Sequence, residues 1–369
     1  MKLLILSAST GGGHDMRAFA LQYWWKKLGL KAEVYHPLES GSALYRFGTE
    51  LYNFIQKKAP WAHRFYFCFL EHANLHRSTK TLIGKKKFIS FLGDCKPKII
   101  VSMHAHLNHA YLDIAKKHIP NLKFVIYCGE FADGDGFSRH WINPKADLFT
   151  GPFTSTCSAA KKYGMPESKL KKGGFLLRKA FYEKNKFEKV DKLLKSFGIN
   201  PSAKFILLGT GANGTNNHPL IYQKLVSLSK THDYKQVVAL CGKNHGTMKR
   251  LLEYEGENAI KLIALPEVDA ERMAALLSQA SCLLARPGAG LSAEAIAMGT
   301  PVIFNLCGGV MPQETNNLNY WILKKGKYFS IKTAQDLPPL LSGEIPSLQD
   351  VLPAQPPLIE MLQSLAIDD

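Results

Sequence analysis

The 369-residue chain contains no apolar run long enough to cross a bilayer, which takes about 20 consecutive residues. Its start, Met1-Lys2-Leu3-Leu4-Ile5-Leu6, gives way at once to Ser-Ala-Ser-Thr-Gly. That is too short for a signal-peptide core and reads as a buried first strand, so a cytoplasmic protein is expected. The seven cysteines are scattered, with no CxxC spacing, which argues against a disulfide framework and against a zinc site. Low-complexity stretches and internal repeats are also missing, and 46% hydrophobic content excludes global disorder. Acid is in short supply: 30 Asp and Glu face 47 Lys and Arg. The shortage is confined to one half. Residues 1–180 hold 28 basic against 12 acidic residues, whereas 181–369 hold 19 against 18. A half so basic seeks a polyanion, either nucleic acid or an anionic membrane surface. No RRM, KH or zinc-finger pattern supports the first, so no nucleic-acid partner is expected.

Short apolar runs alternate with turns and helical periods, the pattern of parallel sheets with crossover helices. Strands are expected at Lys2–Ser7, Ala32–Tyr35, Ile99–Ser102 and Phe124–Tyr127, then at Phe205–Leu208, Gln236–Leu240, Ile260–Ala264, Cys282–Leu284 and Pro301–Phe304. Two doubly wound α/β domains follow: 1–180, 181–335, and a Pro-rich tail 336–369 that could pack back on the first domain. Between about Ala43 and Leu92 the chain has no strand. Rings (Tyr45, Phe47, Tyr52, Phe54, Trp61, Phe65, Tyr66, Phe67, Phe69) alternate there with Lys57, Lys58, Arg64, Arg77 and Lys85-Lys86-Lys87. Aromatic rings beside cations suit an interfacial segment on anionic lipid.

Several turns carry chemistry. Gly11-Gly12-Gly13-His14 follows the first strand and opens a helix. Glycines let N–H groups approach an anion or a sugar, and His14 would stand where open α/β sheets bind ligands, as a candidate general base. Arg286-Pro287-Gly288-Ala289-Gly290-Leu291-Ser292-Ala293-Glu294 contains G-x-G-x-x-A. No acid follows the next strand to hold a dinucleotide ribose, so the motif reads as a helix N-terminus aimed at a diphosphate, with Glu294 placed for a ribose. Gly209–Asn216, including Gly211, Asn213 and Gly214, and Gly242-Lys243 after the next strand repeat that logic on one sheet edge, with Leu265 at the end of a neighbouring strand. Gln313, Glu314 and Asn317 offer polar groups for sugar hydroxyls. Asp133-Gly134-Asp135 is a DxD metal pattern better read as a turn. His104, His106 and His109 read as loop and helix-start residues rather than metal ligands.

The stretches GGGH at 11–14, WINPKADLF at 141–149, KYGMPESKLKKGGFLLRKAF at 162–181, CGKN at 241–244, RPGAGLSAEAIAMGTPVI at 286–303 and PQETNN at 312–317 resemble the monogalactosyldiacylglycerol synthase and processive diacylglycerol glucosyltransferase family. That family is related to the peptidoglycan enzyme that glycosylates lipid I. The resemblance covers most of residues 1–330. It implies a GT-B fold, two Rossmann-like domains facing across a cleft, and inverting transfer of a hexose from a UDP-sugar to a diacylglycerol-like lipid. No cofactor and no obligatory metal are implied, the UDP-sugar being a substrate, and the protein would sit peripherally on the inner face of the membrane. The family's donor-binding positions fall on Gly288, Glu294, Gln313, Glu314 and Asn317, and Arg286, Ala289, Gly290 and Ser292 lie in the same motif. Its acceptor loop and base fall on Gly12, Gly13 and His14, with His104 and Trp141 as further acceptor-side candidates. Relatives carry a Thr-Asp pair where this chain has Gly129-Glu130, so Glu130 is the competing catalytic base. Two rival readings remain: a UDP-sugar epimerase on the same fold, and a nucleic-acid-binding protein using the basic half.

Overall fold

The computed structural model describes residues 1–10, 12–58, 62–74, 76–183, 187–209, 217–254 and 260–367. Its strands make two six-stranded sheets. The first contains β1 (Lys2–Leu6), β2 (Lys31–Tyr35), β3 (Ile99–Ser102), β4 (Lys123–Tyr127), β5 (Leu148–Gly151) and β6 (Leu170–Lys172), ordered β2-β1-β3-β4-β5-β6. The second contains β7 (Phe205–Leu208), β8 (Gln236–Gly242), β9 (Lys261–Pro266), β10 (Cys282–Ala285), β11 (Val302–Asn305) and β12 (Phe329–Ile331), ordered β12-β11-β10-β7-β8-β9. The ladders are parallel, for example Leu3 opposite Ile99 and Leu283 opposite Val302. Central strands such as Leu3–Leu6, Ile99–Ser102 and Phe205–Leu208 are buried along their length, because crossover helices cover both faces of a parallel sheet.

Each sheet has a place where strand order reverses. It lies between β1 and β3 in the first and between β7 and β10 in the second. The loops leaving adjacent strands part there in opposite directions, which opens a crevice at the strands' carboxyl ends. Gly12 to His14, after β1, and Gly288, after β10, therefore sit at these crevices. Gly209 shows how tightly the second is built: a Cβ on it would stand 2.8 Å from Leu283 Cδ1 and Leu291 Cδ2.

The expected strands are present, and β5, β6 and β12 are additional. Leu170-Lys171-Lys172 and Phe329–Ile331 are edge strands, half exposed and too short to form an apolar run. Leu148–Gly151 carries only two large apolar residues.

The chain forms two compact units. One comprises Met1–Arg178, Met311–Tyr320 and Pro353–Asp369; the other comprises Lys179–Val310 and Trp321–Leu352. The sequence boundaries at 180 and 335 differ from this interleaving. Residues 311–320 join the first unit because the 133–136 turn lacks side chains where they pack. A Cβ on Gly136 would fall 2.0 Å from Pro312 C, and one on Gly134 2.5 Å from Asn316 Oδ1. Of the tail, 336–352 stays with the second unit. The helix Pro357–Ile367 belongs to the first, where the Leu358 N–H donates to Gly173 O at 3.1 Å and Leu358, Ile359 and Leu362 are fully buried.

The basic, ring-rich segment is helical at Ala43–Lys58, His63–His72 and Lys85–Cys95. Phe47, Phe54, Phe65 and Phe69 are exposed, while Tyr45 and Phe88 turn into the core. Trp61 and the side chains of Tyr52, Lys57, Lys58 and Tyr66 lie outside the described residues. Among the described residues no helix is long and apolar enough to cross a membrane.

Candidate functional site

At the first crevice, Gly12 takes a left-handed φ of 79°, a conformation that favours glycine, and caps the helix Gly13–Lys27 without a side-chain bond. His14, in its first turn, donates from Nδ1 to the Met103 carbonyl at 2.6 Å. This bond crosses from the loop after β1 to the end of β3. It fixes the tautomer, so Nε2 carries the lone pair of a base. Burial, reinforced by the Arg17 charge, lowers the His14 pKa to about 3, so the ring is neutral at physiological pH. The loop is pinned below it. Asp15 accepts from Ser7 Oγ at 2.6 Å, Ser9 Oγ at 2.9 Å and His36 Nε2 at 2.8 Å. Burial opposes ionisation of Asp15, but those bonds hold its carboxyl down to about 2.

Behind His14 stand further imidazoles. The His104 ring lies 4.7 Å away and the buried Trp141 ring 6.4 Å away. From His104 the row continues to His106 at 5.5 Å, then to His76 at 5.4 Å and His140 at 4.7 Å from His106, with His109 at 6.2 Å from His140. Burial and mutual repulsion push His104 and His106 well below the usual histidine range. Burial takes His76 and His109 to about 4. Neutral, closely packed imidazoles form a polar but uncharged floor. Among the described residues no three His, Cys, Asp or Glu side chains converge as a metal-ligand set.

Glu130 follows β4 in the same unit and accepts from Asn316 Nδ2 at 3.3 Å. Burial raises its carboxyl to about 7, against the pull of the Arg17 guanidinium and the Asn316 amide. It can therefore gain or lose a proton near neutrality. Asp133 is bridged to Lys162 at 2.5 Å and accepts from the Gly134 N–H at 2.9 Å, which makes the DxD motif a turn.

In the second unit, Gly288 precedes the helix Ala289–Met298 with an extended backbone and no side-chain cap. The first N–H groups of that helix, those of Ala289, Gly290 and Leu291, have no partner among the described residues, which leaves a positive end at the β7/β10 crevice. Ser292 and Glu294 are buried one turn in. Arg286 donates from Nη2 to Gly309 O at 2.8 Å, shaping the loop after β11. Gly242 has a positive φ of 56° and Lys243 beside it is exposed, while Leu265 is buried in β9. Gly211, Asn213 and Gly214 lie outside the described residues.

The structure thus gathers Gly12, Gly13, His14, His104, Trp141 and Glu130 in the first unit, and Gly242, Lys243, Leu265, Arg286, Gly288, Ala289, Gly290, Ser292 and Glu294 in the second. Gln313, Glu314 and Asn317 fall in the first unit. Glu314 there accepts the Met311 N–H at 2.9 Å, a bond that starts its own helix. Arg17, Asp15 and Asn316 were not singled out by the sequence. The i+3 spacing of Arg17 from His14 was the available signal.

No family model matches the chain. It is 24% identical over 330 residues to chloroplastic monogalactosyldiacylglycerol synthase 1 of Arabidopsis thaliana, covering 86% of this chain and 60% of that protein. It therefore spans about three-fifths of the length of the plant relatives. Against the processive diacylglycerol beta-glucosyltransferase of Bacillus subtilis it is 26% identical, covering 87% of this chain and 81% of that one. Among solved structures, Acinetobacter baumannii MurG superposes with a TM-score of 0.56 at 15% identity over 100% of this chain and 94% of its own. The UDP-GlcNAc 2-epimerase of Methanocaldococcus jannaschii superposes with 0.55 at 14% identity over 100% of both chains. These superpositions show a two-domain GT-B α/β fold. With that fold and sequence matches over more than four-fifths of its length, the chain is similar to the monogalactosyldiacylglycerol synthases and processive diacylglycerol glucosyltransferases.

Proposed function

We propose that this protein is an inverting glycosyltransferase that moves a hexose from a UDP-sugar to the hydroxyl of a lipid at a membrane surface. The observation that carries this reading is the His14 geometry. A neutral imidazole is held by Met103 O with Nε2 free to take a proton, and it stands at the reversal point of the first sheet. The second unit would hold the nucleotide, its diphosphate on the uncapped helix start after Gly288. Charge building on the leaving phosphate would be met there by N–H groups and the helix dipole. The acceptor hydroxyl, held by the first unit, would pass its proton to His14 or Glu130 and attack the anomeric carbon from the face opposite UDP. No cation is required for that step. The basic half and the exposed Phe47, Phe54, Phe65 and Phe69 support attachment to an anionic membrane face.

The test incubates the full chain with UDP-glucose or UDP-galactose and lipid vesicles. Acceptor-dependent UDP release, a glycolipid of inverted anomeric configuration and persistence in EDTA are expected. Sugar isomerisation without acceptor would instead favour an epimerase, a class that shares the fold.

A further inference from the structure

Arg17 is a cation that the fold buries. It is 9% exposed, and among the described residues no carboxylate forms an ion pair with it. Among the described residues its one polar contact within hydrogen-bond range is His14 Nδ1, 3.4 Å from Nη2. That nitrogen already donates to Met103 O at 2.6 Å, so the contact sets donor against donor. Its Nε has no partner. A guanidinium stays charged at any physiological pH, and burying it costs several kcal/mol, which the through-space attraction of Glu130 only partly offsets.

The fold nevertheless makes room for it. A Cβ on Gly129 would stand 2.4–2.6 Å from Arg17 Cζ, Nη1 and Nη2, so the guanidinium fills the space that any other residue at 129 would claim. Its Nη2 also reaches back to 3.9 Å from the position of a Cβ on Gly13. It thus lies beside the start of its own helix, which no side chain caps. Helix end and guanidinium add positive potential at one point, next to the candidate base. Glu130, the nearby acid, acts on Arg17 only through space and is engaged by Asn316.

We propose that Arg17 is the counter-charge for an anionic acceptor: the hydroxyl presented to His14 belongs to a molecule that carries a phosphate ester a few bonds away. This rests on the transferase reading and narrows its acceptor from neutral diacylglycerol-like lipids to phosphorylated ones. The excess of 28 basic over 12 acidic residues in 1–180 points the same way, since it draws anionic molecules to this half. The ester could be a phospholipid headgroup in a bilayer or a soluble phosphorylated polyol, and the two are separable.

The full chain, with UDP-sugar, is offered phosphatidylcholine vesicles carrying equal amounts of diacylglycerol and phosphatidylglycerol, and in parallel soluble glycerol phosphate. Products are resolved by mass spectrometry. The phosphorylated acceptor should be preferred. Arg17→Met should lower its kcat/KM roughly 10- to 100-fold, the scale of a lost charge-assisted hydrogen bond, with a smaller fall for diacylglycerol and partial recovery in Arg17→Lys. Product on phosphatidylglycerol alone assigns the ester to the bilayer; product on glycerol phosphate alone assigns it to a soluble acceptor. Preference for diacylglycerol, or an equal fall on both acceptors, overturns the proposal.

Calorimetry with short-chain dihexanoyl phosphatidylglycerol and with glycerol phosphate, without donor, reads the anion site alone. Binding of either that is lost in Arg17→Met supports the proposal even if nothing is glycosylated, an outcome that would sink the transferase reading instead. Failure of both to bind, or binding equal in the two proteins, overturns it. Thermal melting separates ligand recognition from a structural role. If Arg17 awaits a ligand, Arg17→Met melts no earlier than the wild type, because a buried charge has been removed. A clear loss of stability there counts against the proposal.

Discussion

The two units share one architecture and differ in what they place at the reversal point of the sheet. In the first, a side chain occupies it. His14 is backed by five more imidazoles and flanked by Arg17 and Glu130, in the half of the chain that holds nearly all of the excess positive charge. In the second, the backbone occupies it: an uncapped helix start at Gly288 and glycines at 209 and 242, in a nearly neutral half. A parallel sheet offers the same crevice to both. Proton transfer needs a titratable group there, while anion binding needs only bare N–H groups. The difference is one of chemistry on a common frame.

The sharpest way to break that comparison is to remove His14. His14→Ala should cut kcat by roughly 10²–10⁴, the range of general acid–base help, and leave UDP affinity unchanged. The pH profile then separates the two candidate bases. Burial sets the Glu130 carboxyl at about 7, so if Glu130 takes the proton, the rate falls as pH drops below about 7 and Glu130→Gln abolishes both that limb and turnover. If His14, at about 3, acts alone, the profile stays flat through that region and Glu130→Gln remains active. Normal turnover in both variants would remove the proposed chemistry from the first unit altogether.

A smaller effect is expected on the other side. Glu294→Ala should weaken UDP binding by roughly 1–3 kcal/mol, the scale of a lost charged hydrogen bond, measured by calorimetry on the full chain. Equal weakening in His14→Ala would erase the division of labour between the units.

The smallest effect, per pH unit, concerns stability. Histidine in an unfolded chain titrates near 6.5, whereas burial holds His76 and His109 at about 4. Between those values the unfolded state binds more protons, so stability falls as pH is lowered from about 6.5 towards 4. A fully buried imidazole accounts for at most about 1.4 kcal/mol per pH unit. In the first unit His14, His104, His106 and His140 are lowered as well; among the described residues of the second, only His218 is. Limited proteolysis mapped by mass spectrometry between pH 7.5 and 5 should therefore open the first unit before the second. Simultaneous opening would contradict this.

Much of the frame was legible because central parallel strands are plain apolar runs and the Gly-rich turns follow them directly. The edge strands β6 and β12 were not, since a strand buried on one side or less has no such run. His14 and Gly288 could be picked out because their positions follow from local order, strand then turn then helix. Arg17, Asn316 and the Met103 carbonyl could not, because their places at the site depend on contacts between residues as many as 186 positions apart in the chain, such as Asn316 on Glu130. The row of imidazoles was visible only as scattered histidines, since His76 and His140 reach His106 through loops whose course no periodicity announces.

The way the chain threads the two units bears on its synthesis. The helix Pro357–Ile367 packs into the first unit, yet it is translated only after all of the second unit. Until it leaves the ribosome, the surface it covers stays open, lacking Leu358, Ile359 and Leu362, each of which contributes roughly 1.5–3 kcal/mol by burial. The second unit, bounded by Lys179 and Leu352, can close earlier. The half begun first is therefore the half finished last, and a nascent chain stalled before Pro353 would expose an apolar seam of the kind that chaperones bind.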